Sequence, residues 1–328
     1  MRWRLRFEGM KDLIELIDDG AAFDAEYAGG LSNHRSMALL ALARLGASET
    51  RLNNFAQAYA VRLQPAPPHQ PWPAGDAWAP RLGQRDAWPA YRDLFLHWLI
   101  TENAGDVLRQ VLPTLMRGCG GAAFHGLIRT AYAVAATHRR ELADALAYWA
   151  SRWLDLGDGA AIGRGDEPQT VLRRLQVVHS PADLIFQRMQ AAALTPHFRA
   201  TAAQLRVHAG TLPRLAALAA QAYAASGNFT ALHLVTSAHA MRVLLPFVDE
   251  PLPALRAYWR AYAAAVCVSG LHAGVAPAPR PWPELVAAAV ASNDDHLVKL
   301  VDSCHAEHAA YAGAGAWQQA ATRAVSPR

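Results

Sequence analysis

Apolar residues recur three and four positions apart along most of this chain, the spacing that gathers them on one face of an α-helix. Residues 36–45 show the pattern clearly and are followed by Gly46, a residue that commonly ends helices. Nine further Ala- and Leu-rich segments share it: 91–101, 105–117, 122–137, 139–154, 181–194, 211–225, 230–245, 253–268 and 294–312. Strand-like patterns are almost absent, with 175–178 as the best short candidate. We therefore predict an all-α protein.

No internal repeat of fixed period is present, so we interpret residues 1–328 as a single large helical domain, a non-repeat multi-helix bundle. The one large break in composition is 64–90, which contains seven prolines and three tryptophans. Flexible linkers are poor in aromatic residues, so we expect an ordered loop that lies across the helices. Its aromatic side chains either pack structurally or cover a planar substrate; they are Trp72, Trp78 and Trp88, with Tyr91 close by.

Composition narrows the class of protein. The chain is 52% hydrophobic and 18% charged, and its net charge of +4 comes from scattered arginines, so we expect a globular protein that binds no nucleic acid. No apolar run reaches the ~20 residues that span a bilayer, and none follows the basic N-terminal residues as in a secretory signal. The three cysteines lie far apart, which fits a reduced compartment. We therefore expect a soluble cytoplasmic protein.

Four of the 14 histidines share one local context, because each lies near the predicted start of an apolar helix: His34, His125, His233 and His296. The positive end of a helix dipole disfavours the imidazolium, and a neutral imidazole is what a metal ion requires. The four could therefore hold one metal ion, although a single histidine in such a position is more often a core or capping residue. His239 lies about 240° around an ideal helix from His233, so it is kept as a reserve ligand.

Lys299 follows His296 by three residues, which places both on one helix face amid Leu297, Val298 and Leu300. It is one of only two lysines among 31 basic residues, so its position suggests a role that arginine cannot fill. A buried lysine can lose its proton, whereas arginine stays charged. The neutral amine could attack carbonyl groups, act as a base, or take up carbon dioxide to form an anionic carbamate beside the histidines. Alternatively, the side chain reaches the surface.

Five segments, in this order along the chain, resemble the questin oxidase-like family. They are LSNHRSMAL at 31–39, FHGLIR at 124–129, ALAYWA at 145–150, LHLVTS at 232–237 and DHLVKL at 295–300. One departure is Arg35-Ser36, where the family typically has Leu-Pro.

The resemblance implies an oxygenase that opens anthraquinone-type rings in polyketide pathways, by NADPH-linked Baeyer–Villiger oxidation or by iron-dependent ring cleavage. It also implies a mononuclear non-heme iron(II) held by histidines and a carboxylated lysine. Matched to this sequence, the ligands are His34, His125, His233, His296 and Lys299. Lys299, His34 and His125 would also be the catalytic residues, and dioxygen the co-substrate, with NADPH as a candidate electron donor.

Two other classes remain open at this stage. The same histidines could hold zinc or manganese in a hydrolase, since histidine sites suit zinc. The chain could also be a non-catalytic helical scaffold in which the histidines are structural. The substrate, the product and the oligomeric state are left open.

Overall fold

The computed structural model describes residues 11–157, 165–271, 274–312 and 315–326. Its helices are α1 (Leu13–Asp19), α2 (Arg35–Arg44), α3 (Glu49–Ala60), α4 (Trp88–Thr101), α5 (Ala104–Arg117), α6 (His125–Ala136), α7 (Arg139–Ser151), α8 (Pro168–Arg174), α9 (Ile185–Ala193), α10 (Pro196–Ala202), α11 (Thr211–Ser226), α12 (Phe229–Leu244), α13 (Pro251–Val268), α14 (Trp282–Ala291), α15 (Asp295–Ala310) and α16 (Gly315–Val325). Within these ranges, the only sheet is an antiparallel hairpin of β1 (Glu26–Tyr27) and β2 (Leu31–Ser32). The prediction of an all-α protein is confirmed. The basic N-terminal segment lies outside the described residues.

A described helix overlaps each of the ten predicted segments. Residues 175–178 form no strand; they are irregular, and Val178 N–H donates to Cys267 O at 2.9 Å. Helix α12 begins at Phe229, one residue before the predicted segment 230–245, because the Asn228 carboxamide accepts from the N–H groups of Thr230 and Ala231. Asn228 is therefore the N-cap.

Residues 64–87 connect α3 to α4, and residues 88–90 of the proline-rich segment already belong to α4. Ala66 N–H donates to Ala22 O at 2.8 Å, which ties the start of the loop to the region before β1. Trp72 N–H donates to the Asp93 carboxylate at 2.9 Å, which ties its middle to α4. Two short 3-10 turns, Ala79–Arg81 and Arg85–Ala87, complete it.

Helices α2, α6, α12 and α15 form the centre of the fold and pack in a closed circuit. Helix α2 contacts α6 and α15, and α12 contacts the same two helices. Around them, α7 packs between α4 and α6, while α11 and α16 pack on each other and against α12 and α15, respectively. The buried apolar side chains of the described residues form one continuous core. None of the described helices is both long and apolar enough to cross a membrane.

Candidate metal centre

Each central helix contributes one histidine near its N-terminal end. His34 is the N-cap of α2, His125 is the first residue of α6, and His296 is the second residue of α15. His233 lies in the second turn of α12. The four helix starts converge on one place, so the partial positive charges of their N-termini are directed at the same small volume.

The four imidazole rings form one contiguous cluster. His34 stacks on His125 with ring centroids 4.6 Å apart, and the edge of His296 meets His34 at 4.7 Å. His233 lies 5.0 Å from His125 and 5.8 Å from His296, again centroid to centroid. The structure therefore brings together all four histidines that the sequence singled out; that they bind a metal ion stays a prediction.

Hydrogen bonds fix the orientation of three of these rings. Nδ1 of His125 bonds to the Ala122 carbonyl, and Nδ1 of His233 bonds to the Phe229 carbonyl at 2.8 Å. Nδ1 of His34 bonds to the Asp295 carboxylate. A carbonyl or carboxylate oxygen only accepts, so each Nδ1 carries the proton and each Nε2 keeps its lone pair. Neutral imidazoles held in this way are the form in which histidine binds metal ions.

Burial keeps the histidines neutral. It lowers the pKa of His34 and of His125 well below the usual value, and the charge of Lys299 contributes to both shifts. Burial also lowers the pKa of His233 to about 4. The pKa of His296 is lowered for the same reason, with His34 and Lys299 as further causes. At neutral pH the cluster therefore presents uncharged nitrogen ligands.

Lys299 is 2% exposed, so the alternative of a lysine that reaches the surface is not what the structure shows. Its charge contributes to the lowered pKa of all four clustered histidines. Burial lowers the pKa of Lys299 to about 8, and attraction by Asp295 and Asp294 offsets only part of this effect. A substantial fraction of the amine is consequently neutral near physiological pH, which is the form that reacts with carbon dioxide.

Asp295 is a residue of the centre that the sequence analysis missed. Its carboxylate bonds to His34 and lies 3.3 Å from Nδ1 of His296. One ligand atom from each of these three residues lies within 4.8 Å of the others, a spacing that could itself hold a metal ion. The direct hydrogen bond between His34 and Asp295 leaves no room for an ion between these two atoms, so Asp295 orients the His34 ring. In the sequence, its position directly before His296 could have indicated that Asp295 belongs to the centre.

An unusual turn directly precedes His125 at the start of α6. Ala122, Ala123 and Phe124 are consecutive residues with positive φ, of 46°, 53° and 71°. Residues with a Cβ rarely adopt this left-handed conformation, which costs about 1–2 kcal/mol each. Gly121 makes the turn sterically possible, because a Cβ there would lie 1.8 Å from the Arg152 carbonyl oxygen.

The histidines open into a cavity of about 390 Å³. Its aromatic walls are Tyr27, Phe186 and Phe229, and the turn residues Ala122 and Ala123 line it with small side chains. The volume is within the roughly 300–1,000 Å³ of typical ligand pockets, and the mixture of apolar walls with a few polar groups is also typical. The cavity thus suits a planar, largely apolar molecule placed against the histidine cluster.

The structure does not place the four predicted substrate-lining aromatic residues at this cavity. Trp88 and Tyr91 are completely buried in the first turn of α4. Tyr91 Oη donates to Trp78 O at 2.8 Å, and its ring lies 5.0 Å from that of Trp72. None of the four is among the described residues that line the cavity. The physical reason is that the proline-rich loop is anchored to α4, so its rings pack there.

The reserve ligand His239 belongs to a different buried network. Its Nδ1 contacts the Glu307 carboxylate at 2.7 Å, and Arg242 donates to the same oxygen at 2.7 Å. Six residues along α12 separate it from His233, and the helix turns it away as its spacing indicates.

The family model described as questin oxidase-like matches residues 31–304, which is most of the chain and includes all four histidines and Lys299. The chain belongs to the questin oxidase-like family. Membership suggests an oxidoreductase that acts on a polyketide-type small molecule. No curated protein matches the chain.

In this questin oxidase-like protein, Arg35 and Ser36 anchor the start of α2. Nη1 of Arg35 donates to Leu16 O at 2.5 Å, and Ser36 Oγ donates to the Glu141 carboxylate at 2.6 Å. His34 N–H donates to the Tyr59 hydroxyl at 3.0 Å. Together these hydrogen bonds hold His34 in place at the start of α2.

Proposed function

We propose that this questin oxidase-like protein is a non-heme iron oxygenase that acts on an aromatic, quinone-type polyketide. The observation that carries the proposal is a pair of orphaned atoms: Nε2 of His34 and Nε2 of His125 are buried and have no hydrogen-bond partner among the described residues. An unsatisfied buried acceptor costs about 1–3 kcal/mol, so such atoms call for a ligand. A metal ion is the ligand that suits clustered neutral imidazoles.

His34, His125, His233 and His296 would hold the iron through nitrogen. Lys299, after its amine has taken up carbon dioxide and released a proton, would add one carbamate oxygen. The convergent helix N-termini favour an anion at this place. Iron(II) supplies the redox chemistry with dioxygen that no amino-acid side chain provides.

The protein's own contribution is to bind and orient the substrate. The apolar walls at Tyr27, Phe186 and Phe229 would stack against a planar ring system and exclude water from it. Asp295 holds the proton on Nδ1 of His34 and so keeps that ring in the metal-binding tautomer.

Electron balance distinguishes the two family chemistries. Incorporation of both oxygen atoms into the product requires no external reductant. Insertion of a single oxygen atom, as in Baeyer–Villiger oxidation, reduces the other atom to water and requires two electrons, for which NADPH is the candidate donor. Reaction under ¹⁸O₂ with and without NADPH, followed by mass spectrometry, separates the two.

The metal assignment is tested by anaerobic purification, iron loading and elemental analysis. We expect one iron per chain in the wild type, and little in Lys299→Arg, because a permanent guanidinium repels the metal and forms no carbamate. Bicarbonate should restore iron binding to carbon-dioxide-depleted wild type but not to Lys299→Arg. His239→Gln is the matched histidine control and should keep its iron. Full iron content in folded Lys299→Arg, or selective binding of zinc without oxygenase activity, contradicts the proposal.

A further inference from the structure

A chain of hydrogen bonds leads from the cavity wall toward the surface. Ser32 lines the cavity, and its Oγ lies 2.6 Å from the Tyr148 hydroxyl. Tyr148 donates to Glu26 Oε1 at 3.1 Å. Two arginines bind the same carboxylate: Arg152 donates to Oε1 at 2.6 Å and Arg85 donates to Oε2 at 3.1 Å. The hairpin register pairs Glu26 with Ser32, so both side chains lie on one face of the hairpin.

The charged end of this chain fixes the direction of every bond in it. Glu26, bound by two guanidinium groups, is a carboxylate and can only accept. Tyr148 has a single hydroxyl proton, and burial with the neighbouring Glu26 charge raises the pKa of its phenol, so the proton stays. Tyr148 gives that proton to Glu26, and its oxygen must then accept from Ser32. The reverse order would leave the phenol oxygen facing a carboxylate oxygen with no proton between them.

Ser32 therefore donates its only proton to Tyr148, so its Oγ can only accept a hydrogen bond from a molecule in the cavity. We propose that Ser32 is a specificity residue that accepts a hydrogen bond from a hydroxyl group of the bound ligand, so that the cavity selects a phenol over the corresponding ether. This inference rests on the proposed function, because it concerns the cavity beside the histidine cluster. Ser32 lies two residues before His34 and both line that cavity, so the selected hydroxyl is held near the candidate metal.

The test uses metal-free protein and two matched probes, 2-hydroxyanthraquinone and its methyl ether, with dissociation constants measured by fluorescence titration. Wild type should bind the hydroxy compound roughly tenfold more tightly, the size expected of one hydrogen bond. Ser32→Ala should remove the preference. Tyr148→Phe should reduce or reverse it, because Ser32 is then free to donate its proton to the ether oxygen.

A second buried serine–tyrosine pair supplies the control. Ser237 Oγ lies 3.0 Å from the Tyr258 hydroxyl between α12 and α13, and neither residue belongs to the described cavity wall. Ser237→Ala and Tyr258→Phe should keep the wild-type preference. An unchanged preference in folded Ser32→Ala, or in Tyr148→Phe if the first variant does not fold, overturns the inference. If neither probe binds, the result overturns the inference together with the proposed substrate class. The assay contains no iron, so its outcome does not depend on whether the proposed metal site is correct.

Discussion

Replacement of Lys299 with methionine should stabilise the metal-free protein while abolishing its capacity for iron. Lys299 is buried, and its charge opposes protonation of the four clustered histidines. Methionine has a similar length and no charge, so it fills the same space without the need to desolvate an ammonium group. The substitution therefore removes an ammonium group whose burial costs free energy.

The size of the effect follows from the pKa of Lys299, which burial lowers from 10.5 to about 8. Each pKa unit corresponds to about 1.4 kcal/mol, so burial disfavours the charged folded state by about 3 kcal/mol. Between pH 8 and pH 10.5 the unfolded chain binds more protons, and wild-type stability therefore rises with pH in this window. Below pH 8 the full penalty is present. Lys299→Met should consequently be up to about 3 kcal/mol more stable at pH 7, with Tm about 4 °C higher for a chain of this length.

Urea denaturation from pH 7 to pH 10, in the presence of a chelator, measures the difference between variant and wild type. The advantage of Lys299→Met should shrink above pH 8. Lys11→Met is the matched control, because Lys11 is the only other lysine and its exposed side chain pairs with Asp19 at 2.6 Å. An exposed pair contributes little, so this variant should differ from wild type by less than about 1 kcal/mol. A Lys299→Met protein that is less stable than wild type at pH 7, or a pH-independent difference, refutes the reasoning.

Asp295→Asn should weaken iron binding by roughly 10- to 100-fold in a chelator competition, because His34 loses the carboxylate that orients its ring. Asp294→Asn is its control, since asparagine also caps helices well, and equal affinities would show that Asp295 has no orienting role. Ala123→Gly should leave stability unchanged or raise it by up to about 1 kcal/mol, because glycine tolerates the positive φ of this turn. Ala131→Gly, within α6, should lower stability by about 1 kcal/mol; an equal loss in both variants, measured with urea, would argue against strain in the turn.

Ten of the described helices were predicted from apolar periodicity, but α3, α14 and α16 were missed although each has ten or more residues. Shorter helices such as α8 and α10 extend over seven residues each, too few for periodicity to be distinguished from chance. The candidate metal ligands could be predicted because each lies in a recognisable local context at the start of a helix. Their family resemblance also supported the choice.

Long-range contacts were not predictable from local pattern. Asp295 reaches His34 across 261 positions of sequence, and Ser32 reaches Tyr148 across 116. Only the packing of α2, α7 and α15 brings these groups together. Where the aromatic rings of the loop pack was not predictable for a related reason, since composition shows that tryptophans need partners but not which surface provides them.

The features of the centre share one energetic property, which is that each opposes folding of the metal-free chain. The orphaned nitrogens of His34 and His125 cost about 1–3 kcal/mol each, and the buried amine of Lys299 and the left-handed turn before His125 add to this. A ligand that binds only the folded state stabilises it by about 4 kcal/mol when the free ligand concentration is a thousand times the dissociation constant. Iron should therefore stabilise the wild type and leave Lys299→Met unchanged. The order of stability of the two proteins should consequently reverse between metal-free and iron-saturated conditions, which a merely structural lysine would not produce.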